Sequence, residues 1–526
     1  MNQRSSTYAA DDQTDWSKIN REAFEHALRP VALPQRDGIP FWNQHARQFI
    51  MPPAFEVQPL PEAAEYRFVL KNAQGRELAE FTAHSPQEPL TPVWANIPVG
   101  IVTLTIDALD RNGTVLKKVF QREFYRSAWF QGPYPSKSHD YREAAFRCFS
   151  YVYNLPHIQA WLENGTVDEK IYRKYCYPSK TLSAIIECML NYVEMTQDGE
   201  LRRNAHRIAA KMADWLIDNS CPAGTPLEFL PPTYWKYATY ENAKKNIGQI
   251  MMIYPPRVGC CYLRLYRELG MRKYLEAAIR IGETLKKLEL PDSCWYLKLY
   301  EETGKPSCEN IVVLGKDMNN FLIELSEVTQ DSSYQAMRDR AYHRLINHNL
   351  KLWDWDGQFE DVIPQARYHN LTKDQALFLA SELFQQGDRE TALKLVDWCE
   401  DQFLVWSDPS PELRQASMFT VTPDNASIVL PTALEQYNCY WPVDGSMSTF
   451  ISAWAKTYRY TGNRVYLEKA KALADAILRN QRPDGSIPTW FFTIDLPDWL
   501  NCMIGTSKTL LELDETIRSR QSEQMR

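Results

Sequence analysis

The sequence has little of what marks a membrane, secreted or metal-binding protein. Its 526 residues contain no apolar run near the roughly 20 residues that a membrane-spanning helix needs. Residues 1–5 lack the apolar stretch of a signal peptide. The eleven cysteines form no CxxC pair and no Cys/His cluster, so we predict reduced, mostly buried thiols and no metal or other cofactor. We therefore expect no membrane association and a cytoplasmic protein, or a periplasmic one if a signal sequence has been removed.

Positive charge is also scarce. The net charge is −7, which argues against nucleic acid as the main partner.

What the sequence does contain is a helical unit that recurs six times. Each unit is a helix-patterned stretch, a turn of a few polar residues, a second helix-patterned stretch and a long irregular connection. The helix after each short turn is amphipathic and charged, whereas the helix before it is more apolar. Short turns join antiparallel neighbours. The pattern predicts a mainly α fold in which six outer and six inner helices close an (α/α)6 toroid.

The connections from outer to inner helices are long and rich in Pro, Gly, Trp and Tyr. They lie at about 155–179, 220–255, 289–315, 350–371, 406–443 and 482–497. Irregular connections longer than about 12–15 residues are uncommon unless they carry function. We therefore expect a functional pocket on one rim of the toroid, where the inner helices begin.

Residues before about 130 have the pattern of short strands, at 65–70, 77–81 and 100–106, with a hairpin-turn signal at 111–114. Their spacing predicts a small antiparallel β-sandwich of fibronectin or immunoglobulin type. The chain is thus divided into an N-terminal arm (1–40), a β-sandwich (41–130) and a catalytic toroid domain (131–520).

Such a sandwich followed by helix hairpins, with rim segments such as WDWDGQFED (353–361) and NQRPDGSIP (480–488), resembles the (α/α)6-toroid carbohydrate-active enzymes. Within these enzymes the chain is most similar to the unsaturated glucuronyl hydrolases and the related bacterial β-glucuronidases. The resemblance covers about 140–515 as architecture. It implies a glycoside hydrolase acting on an oligo- or polysaccharide that contains uronic acid. Toroids also include polysaccharide lyases and sugar epimerases, so the fold alone does not fix the reaction.

Cationic side chains are predicted at the starts of several inner helices. They are Lys180, Arg257, Lys316 and Lys373, with Tyr254 beside Arg257. Around a mouth that already collects helix N-termini, they would favour a carboxylate or sulfate on the ligand. The same side chains could instead pair with neighbouring acids or loop carbonyls.

Carboxyl groups at the same helix starts are the catalytic candidates, because hydrolysis of a glycosidic bond uses two of them. Asp317, Asp374 and Asp444 each begin a predicted inner helix, and Glu360 lies on the Trp-rich loop. An Asp at a helix start is also a common N-cap. Capping is unlikely to account for all of them at once.

Aromatic residues are concentrated in the long loops, where flat faces could stack on sugar rings. Trp353, Trp355 and Trp441 are predicted to line sugar subsites. For any single one, packing of the loop onto the toroid is the more common role.

Other reactions stay open at this stage. A lyase would use a Tyr or His base and a cation that neutralises the uronate; Tyr368 with His369, or Tyr254 with Arg257, supply these types. An epimerase would want two histidines facing across the pocket, and only His369 is well placed. A non-catalytic carbohydrate-binding protein is the remaining alternative.

Overall fold

The computed structural model describes residues 14–31, 35–36, 39–40, 45–136, 139–307, 312–313, 315–356, 368–414 and 426–524. Within them, no helix has both the length and the apolar composition needed to cross a bilayer.

The N-terminal region consists of a helix, short strands and one larger sheet. Its elements are α1 (Trp16–Ala27), β1 (Gln35–Arg36), β2 (Ile39–Pro40), β3 (Gln48–Phe49), β4 (Glu65–Asn72), β5 (Glu77–Ala83), α2 (Thr91–Trp94), β6 (Gly100–Leu109) and β7 (Val115–Arg126). Five strands form a sheet in the order β3-β7-β6-β4-β5, antiparallel except for the β3–β7 pair.

The described residues contain one five-stranded sheet and the separate β1–β2 pair, and they do not confirm the β-sandwich that the sequence predicted. The predicted strands are present. Aromatic side chains from β3, from the loop that follows it and from α2 pack on the larger sheet, with Phe49, Phe55 and Trp94 around Phe124 of β7. These large rings bury apolar surface of the sheet.

The sheet is fastened to the helical region by buried hydrogen bonds. The Asp401 carboxylate accepts from the backbone N–H groups of Ile50 and Met51, each at 2.7 Å. The Gln402 amide donates to the backbone carbonyl of Gln48 at 3.1 Å.

The helical region follows from residue 141. Its helices are α3 (Tyr141–Asn154), α4 (Pro156–Gln159), α5 (Pro178–Met195), α6 (Gly199–Asp218), α7 (Glu241–Lys244), α8 (Tyr254–Leu269), α9 (Arg272–Leu288), α10 (Lys316–Thr329), α11 (Ser332–Arg344, continued by a π-helix, Leu345–Leu350), α12 (Asp374–Gln386), α13 (Arg389–Phe403), α14 (Pro411–Arg414), α15 (Asp444–Thr461), α16 (Arg464–Asn480) and α17 (Leu500–Gln524). Short strands in the long connections are β8 (Gln249–Met251), β9 (Trp295–Tyr296), β10 (Lys298–Tyr300), β11 (Val312–Val313), β12 (Leu404–Val405), β13 (Thr432–Gln436) and β14 (Cys439–Pro442).

Twelve of these helices form the predicted toroid. Five consecutive hairpins pair α5 with α6, α8 with α9, α10 with α11, α12 with α13 and α15 with α16, and the sixth pairs α3 with α17. The inner helices are α5, α8, α10, α12, α15 and α17. Close packing in the ring relies on small residues: a Cβ on Gly259 of α8 would lie 2.2 Å from the Phe321 ring of α10.

Candidate active site

Most outer helices begin differently from the inner helices, and this sets the character of the rim; the outer helix α9 follows Met271 and has no side-chain cap. The outer helices α3, α6, α11, α13 and α16 each follow an Asp or Asn whose side chain accepts a backbone N–H of the first turn. The inner helices α5, α8, α10, α12 and α15 have no such side-chain cap. Asp317, Asp374 and Asp444 lie inside their helices, so capping does not account for them. The rim therefore presents helix N-termini suited to polar or anionic ligands.

Asp374 begins α12 and is the most open of the three predicted catalytic aspartates. Its side chain is 54% exposed. The Thr449 hydroxyl of α15 lies 3.3 Å from Asp374 Oδ1, and the Thr372 hydroxyl lies 3.3 Å from Oδ2. These contacts hold the carboxylate and leave more than half of the side chain exposed.

A second carboxyl group, Glu435, approaches Asp374 from β13. The Lys373 ammonium donates to the Glu435 backbone carbonyl and to the Ser446 hydroxyl, both at 2.7 Å, and lies 3.7 Å from Asp374 Oδ1. The Thr372 hydroxyl lies 3.1 Å from the same Glu435 carbonyl. The starts of α12 and α15 thus hold β13 so that Glu435 is adjacent to Asp374.

Burial raises the pKa of the Glu435 carboxyl, against the opposing charges of Lys373 and Lys180, and the nearby Asp374 carboxyl raises it further. A carboxyl group with a raised pKa can hold a proton at a pH where an exposed one has lost it. We call Asp374 and Glu435, with α12, β13 and the start of α15, the carboxyl wall.

Opposite this wall, cations from three other inner helices converge on one acid. Burial alone would raise the pKa of Glu187 on α5, yet its pKa is lowered by nearby positive charges. These charges belong to Lys508 of α17, Arg257 and Arg264 of α8, and Lys316 of α10. The Lys508 ammonium lies 3.5 Å from Glu187 Oε1. We call Lys180, Arg257, Lys316 and Lys508 the cationic wall.

Asp317 belongs to the cationic wall through Arg257. Its charge is the main cause that raises the pKa of Arg257, while burial opposes the shift and Glu187 and Tyr254 add to it. Asp317 is partly exposed and Lys316 is exposed, whereas Tyr254 is buried. In this arrangement Asp317 is a partner of a cation.

An aromatic platform adjoins Lys180. The ammonium groups of Lys180 and Lys174 lie 4.0 and 3.4 Å from the centre of the Trp499 ring. Trp499 also stacks on Tyr177 at 5.9 Å. Because Lys180 influences the pKa of Glu435 as well, the platform is next to the carboxyl wall.

Asp444 does not reach the open mouth. Its side chain is fully buried and accepts a hydrogen bond from the Thr506 hydroxyl at 2.8 Å. Burial raises its pKa well above the usual range. The structure thus places Asp444 beneath the surface of the rim, in contact with α17.

Several other predicted site residues are also packed into the protein. Trp353 and Trp355 are buried and pack edge to face at 6.0 Å, so neither presents a face to a sugar. Lys373 is 1% exposed, and its ammonium holds the carboxyl wall together.

The predicted lyase pair contacts neighbouring segments. Tyr368 is buried and donates to the Leu352 carbonyl at 2.8 Å. His369 packs edge to face on His45 of the N-terminal region at 4.5 Å. Neither of these two contacts involves a residue of the carboxyl or cationic wall.

Trp441 is partly exposed and packs against Trp490 and Phe492, near the start of α15. Glu360 lies outside the described residues.

Space for a ligand is provided on α17. Gly505 is exposed, and a Cβ placed there would meet no atom within 4 Å. On the neighbouring α15, a Cβ on Gly445 would meet only Cys502 Sγ, at 3.9 Å.

No group of three or more His, Cys, Asp or Glu side chains suited to a metal ion occurs in the part of the chain that the structure describes.

Sequence reasoning missed Glu435, whereas Trp499 was among the loop aromatics expected to be able to stack on a sugar ring. The signal for Glu435 was present: it is the only charged residue in the apolar and aromatic stretch 428–442. Treating 406–443 as one irregular loop concealed the β13–β14 hairpin that positions it.

No protein-family model and no curated protein matches the chain. It is similar in structure to a D-mannose isomerase, with a TM-score of 0.47 and 12% identity over 73% of this chain and 100% of that one. The cellobiose 2-epimerase from Spirochaeta thermophila DSM 6192 has a TM-score of 0.46 and 10% identity, over 66% of this chain and 87% of that one. A family 76 glycoside hydrolase from a bovine Bacteroides thetaiotaomicron strain has a TM-score of 0.45 and 11% identity, over 86% of this chain and 93% of that one. At this level of similarity none of them assigns a reaction to this chain.

Proposed function

We propose that the protein is a glycoside hydrolase that cleaves an anionic, uronic-acid-containing oligo- or polysaccharide at the mouth of the toroid, with Asp374 and Glu435 as its two carboxyl groups. Glu435 would protonate the leaving oxygen, and Asp374 would activate water or attack the sugar.

The observation that carries this proposal is the contrast between two adjacent carboxyl groups. Burial raises the pKa of Glu435, whereas Asp374 is 54% exposed and lies 3.7 Å from an ammonium group. Two carboxyl groups in environments that differ in this way suit separate acid and base roles.

The anionic substrate is proposed from the cationic wall and from the platform at Trp499. The Lys180 ammonium lies over the Trp499 ring and its charge acts on Glu435, so a substrate carboxylate bound by Lys180 would lie between the platform and the carboxyl wall. Arg257, Lys316 and Lys508 supply further positive charge deeper in the ring.

The test follows ultraviolet absorbance of the conjugated uronate double bond while the purified protein meets intact polyuronides and unsaturated uronyl oligosaccharides. A falling signal on the oligosaccharides, or new reducing ends without a change in absorbance, supports a hydrolase. A rising signal on the polymers would replace the proposal by a lyase. Absence of any product across the panel would contradict an enzymatic role.

Assignment of the carboxyl groups needs variants. Asp374→Asn and Glu435→Gln should each remove turnover while the melting temperature stays near that of the parent protein. Glu302→Gln is the matched control, because Glu302 is an exposed glutamate of a rim loop outside both walls. Full activity in either test variant would remove that residue from the proposed mechanism.

A further inference from the structure

A second cleft opens at the outer edge of the rim, away from both walls. It lies between the loop that follows α9 and the C-terminal end of α11, with about 560 Å³ of empty space including the part open to solvent. Its lining residues are Asp292, Ser293, Arg340, His343, Arg344, Asn347 and His348. Outer helices end where inner helices begin, so this cleft is on the same rim as the candidate active site.

The two arginines of the cleft are fixed by ion pairs. Arg340 Nε donates to Glu289 Oε1 at 2.9 Å, and Arg344 Nη2 lies 3.0 Å from Asp292 Oδ2. The other Asp292 oxygen accepts from the Cys294 thiol at 2.9 Å. Both acids are thus engaged, and the guanidinium groups are held in place without the loss of side-chain entropy that a free arginine undergoes on binding.

The charges of Arg340 and Arg344 are balanced by Glu289 and Asp292, so the histidines decide the net charge of the cleft. His343 is exposed and His348 is partly exposed. Histidine is the side chain that ordinarily gains a proton between about pH 8 and pH 5. Protonation would therefore give the cleft a net positive charge.

Neutral hydrogen-bond donors complete the lining. Asn347 is exposed and lies on the π-helix that continues α11, a form of helix found frequently at functional sites. Ser293 has a left-handed backbone with φ of 62°, a region that a serine rarely adopts. Amide, hydroxyl, imidazole and guanidinium groups are the donors that recognise an oxyanion.

We propose that this cleft is an accessory site for an oxyanion, a sulfate, phosphate or carboxylate group carried by a glycan or present as the free ion. The proposal stands apart from the proposed hydrolase activity, because it uses no residue of either wall. Because a histidine side chain ordinarily gains charge in acid, the proposal predicts tighter binding near pH 6 than near pH 8.

Titration calorimetry with sodium sulfate, a sulfated disaccharide and the matching unsulfated disaccharide tests the proposal at both pH values. We expect sulfate to bind with a dissociation constant below about 1 mM near pH 6 and at least about 10-fold more weakly near pH 8. Binding of the sulfated sugar but not the unsulfated one identifies a glycan substituent as the ligand, and binding of sulfate alone identifies the free ion.

Asn347→Asp locates the site, because it adds a negative charge at an exposed position that carries no structural hydrogen bond. We expect it to weaken sulfate binding about 10-fold or more. Asn164→Asp makes the same charge change at an exposed position on another rim loop and should leave binding unchanged. His343→Gln should reduce the difference between the two pH values.

Three results would overturn the proposal: no sulfate binding near pH 6, equal affinity at both pH values, or the same affinity in Asn347→Asp as in the parent protein. None of these readouts depends on turnover, so they are independent of whether the hydrolase proposal succeeds.

Discussion

The two walls of the toroid mouth both draw side chains from the N-terminal halves of inner helices, yet they hold their charges in different ways. On the cationic wall, side chains from α5, α8, α10 and α17 point into the ring and share a few acids, with Glu187 at the centre. On the carboxyl wall, the buried Lys373 donates to the backbone of β13, and Asp374 and Glu435 are the groups proposed to react.

The difference teaches that a charged residue at a helix start takes its role from what the adjoining loop brings to it. Lys316 and Lys373 each precede an Asp and stand at equivalent places in the repeat. The β13–β14 hairpin covers Lys373, which is 1% exposed, while Lys316 remains exposed. Lys373 therefore supports the carboxyl wall, whereas the exposed Lys316 can contact a ligand.

The sharpest test of this division compares Glu435→Gln with Asp317→Asn. Loss of a general acid costs about 10²–10⁴-fold in kcat, and we expect that loss for Glu435→Gln only. Asp317→Asn should act mainly on KM, because Asp317 pairs with Arg257. Steady-state kinetics on the substrate found in the panel measures both. An equal loss of kcat in the two variants would mean that catalysis uses both walls.

The next largest effect is expected on the cationic wall itself. Arg257→Met removes a hydrogen-bonding charge, which should raise KM for an anionic substrate by about 10–100-fold with little change in kcat, since hydrogen bonds to charged groups contribute about 1.5–3 kcal/mol. A neutral analogue of the same linkage is the control and should be unaffected. A matching rise in KM for the neutral analogue would argue against recognition of charge.

A smaller effect is expected within the carboxyl wall, where the Lys373 charge acts on Glu435. The Lys373 charge lowers the pKa of Glu435, so Lys373→Met should raise that pKa and extend activity to higher pH. Lys373→Arg keeps the charge and should keep the alkaline limb of the pH profile in place. Lys373→Met should also destabilise the fold by about 1–3 kcal/mol, because the buried Glu435 carbonyl and Ser446 hydroxyl lose a partner. An unmoved alkaline limb in Lys373→Met would separate Glu435 from that limb.

The smallest expected effect concerns the orientation of Asp374. Thr449→Val removes one 3.3 Å hydrogen bond to its carboxylate. The single hydroxyl proton of Thr449 is also placed to donate to the Gly445 carbonyl at 3.0 Å, so the bond to Asp374 is a weak one and kcat should fall only a few-fold. A loss as large as that of Asp374→Asn would give Thr449 a direct part in the chemistry.

The toroid could be predicted from the sequence because each hairpin carries its own local signals: a short polar turn, an amphipathic helix and a more apolar one. The N-terminal strands could be predicted from equally local signals. The packing on the sheet could not, because it depends on contacts such as that between Trp94 and Phe124, which no strand pattern specifies. The burial of Asp444 and Trp355 could not be predicted for the same reason. Both lie at positions that look open along the chain and are covered by neighbouring segments in space.

The carboxyl wall shows a second limit. Asp374 was found because it begins a helix, whereas Glu435 depends on a hairpin inside a long connection and on bonds to Lys373, which lies 62 positions away. Helix starts can be counted in a sequence, but the approach of a loop to them cannot.

The pairing of α3 with α17 has a consequence for how the molecule is made. Cys148 and Met503, 355 positions apart, meet at this seam. Contacts at such a separation form slowly, because a long segment of chain has to be ordered before they can contribute. During synthesis, the apolar faces of α3, α5 and α15 that contact α17 therefore stay uncovered until α17 has been made. The ring of helices closes only when α17 docks. The same step brings in Lys508 and Gly505, so the part of the mouth that α17 lines forms only when this helix docks.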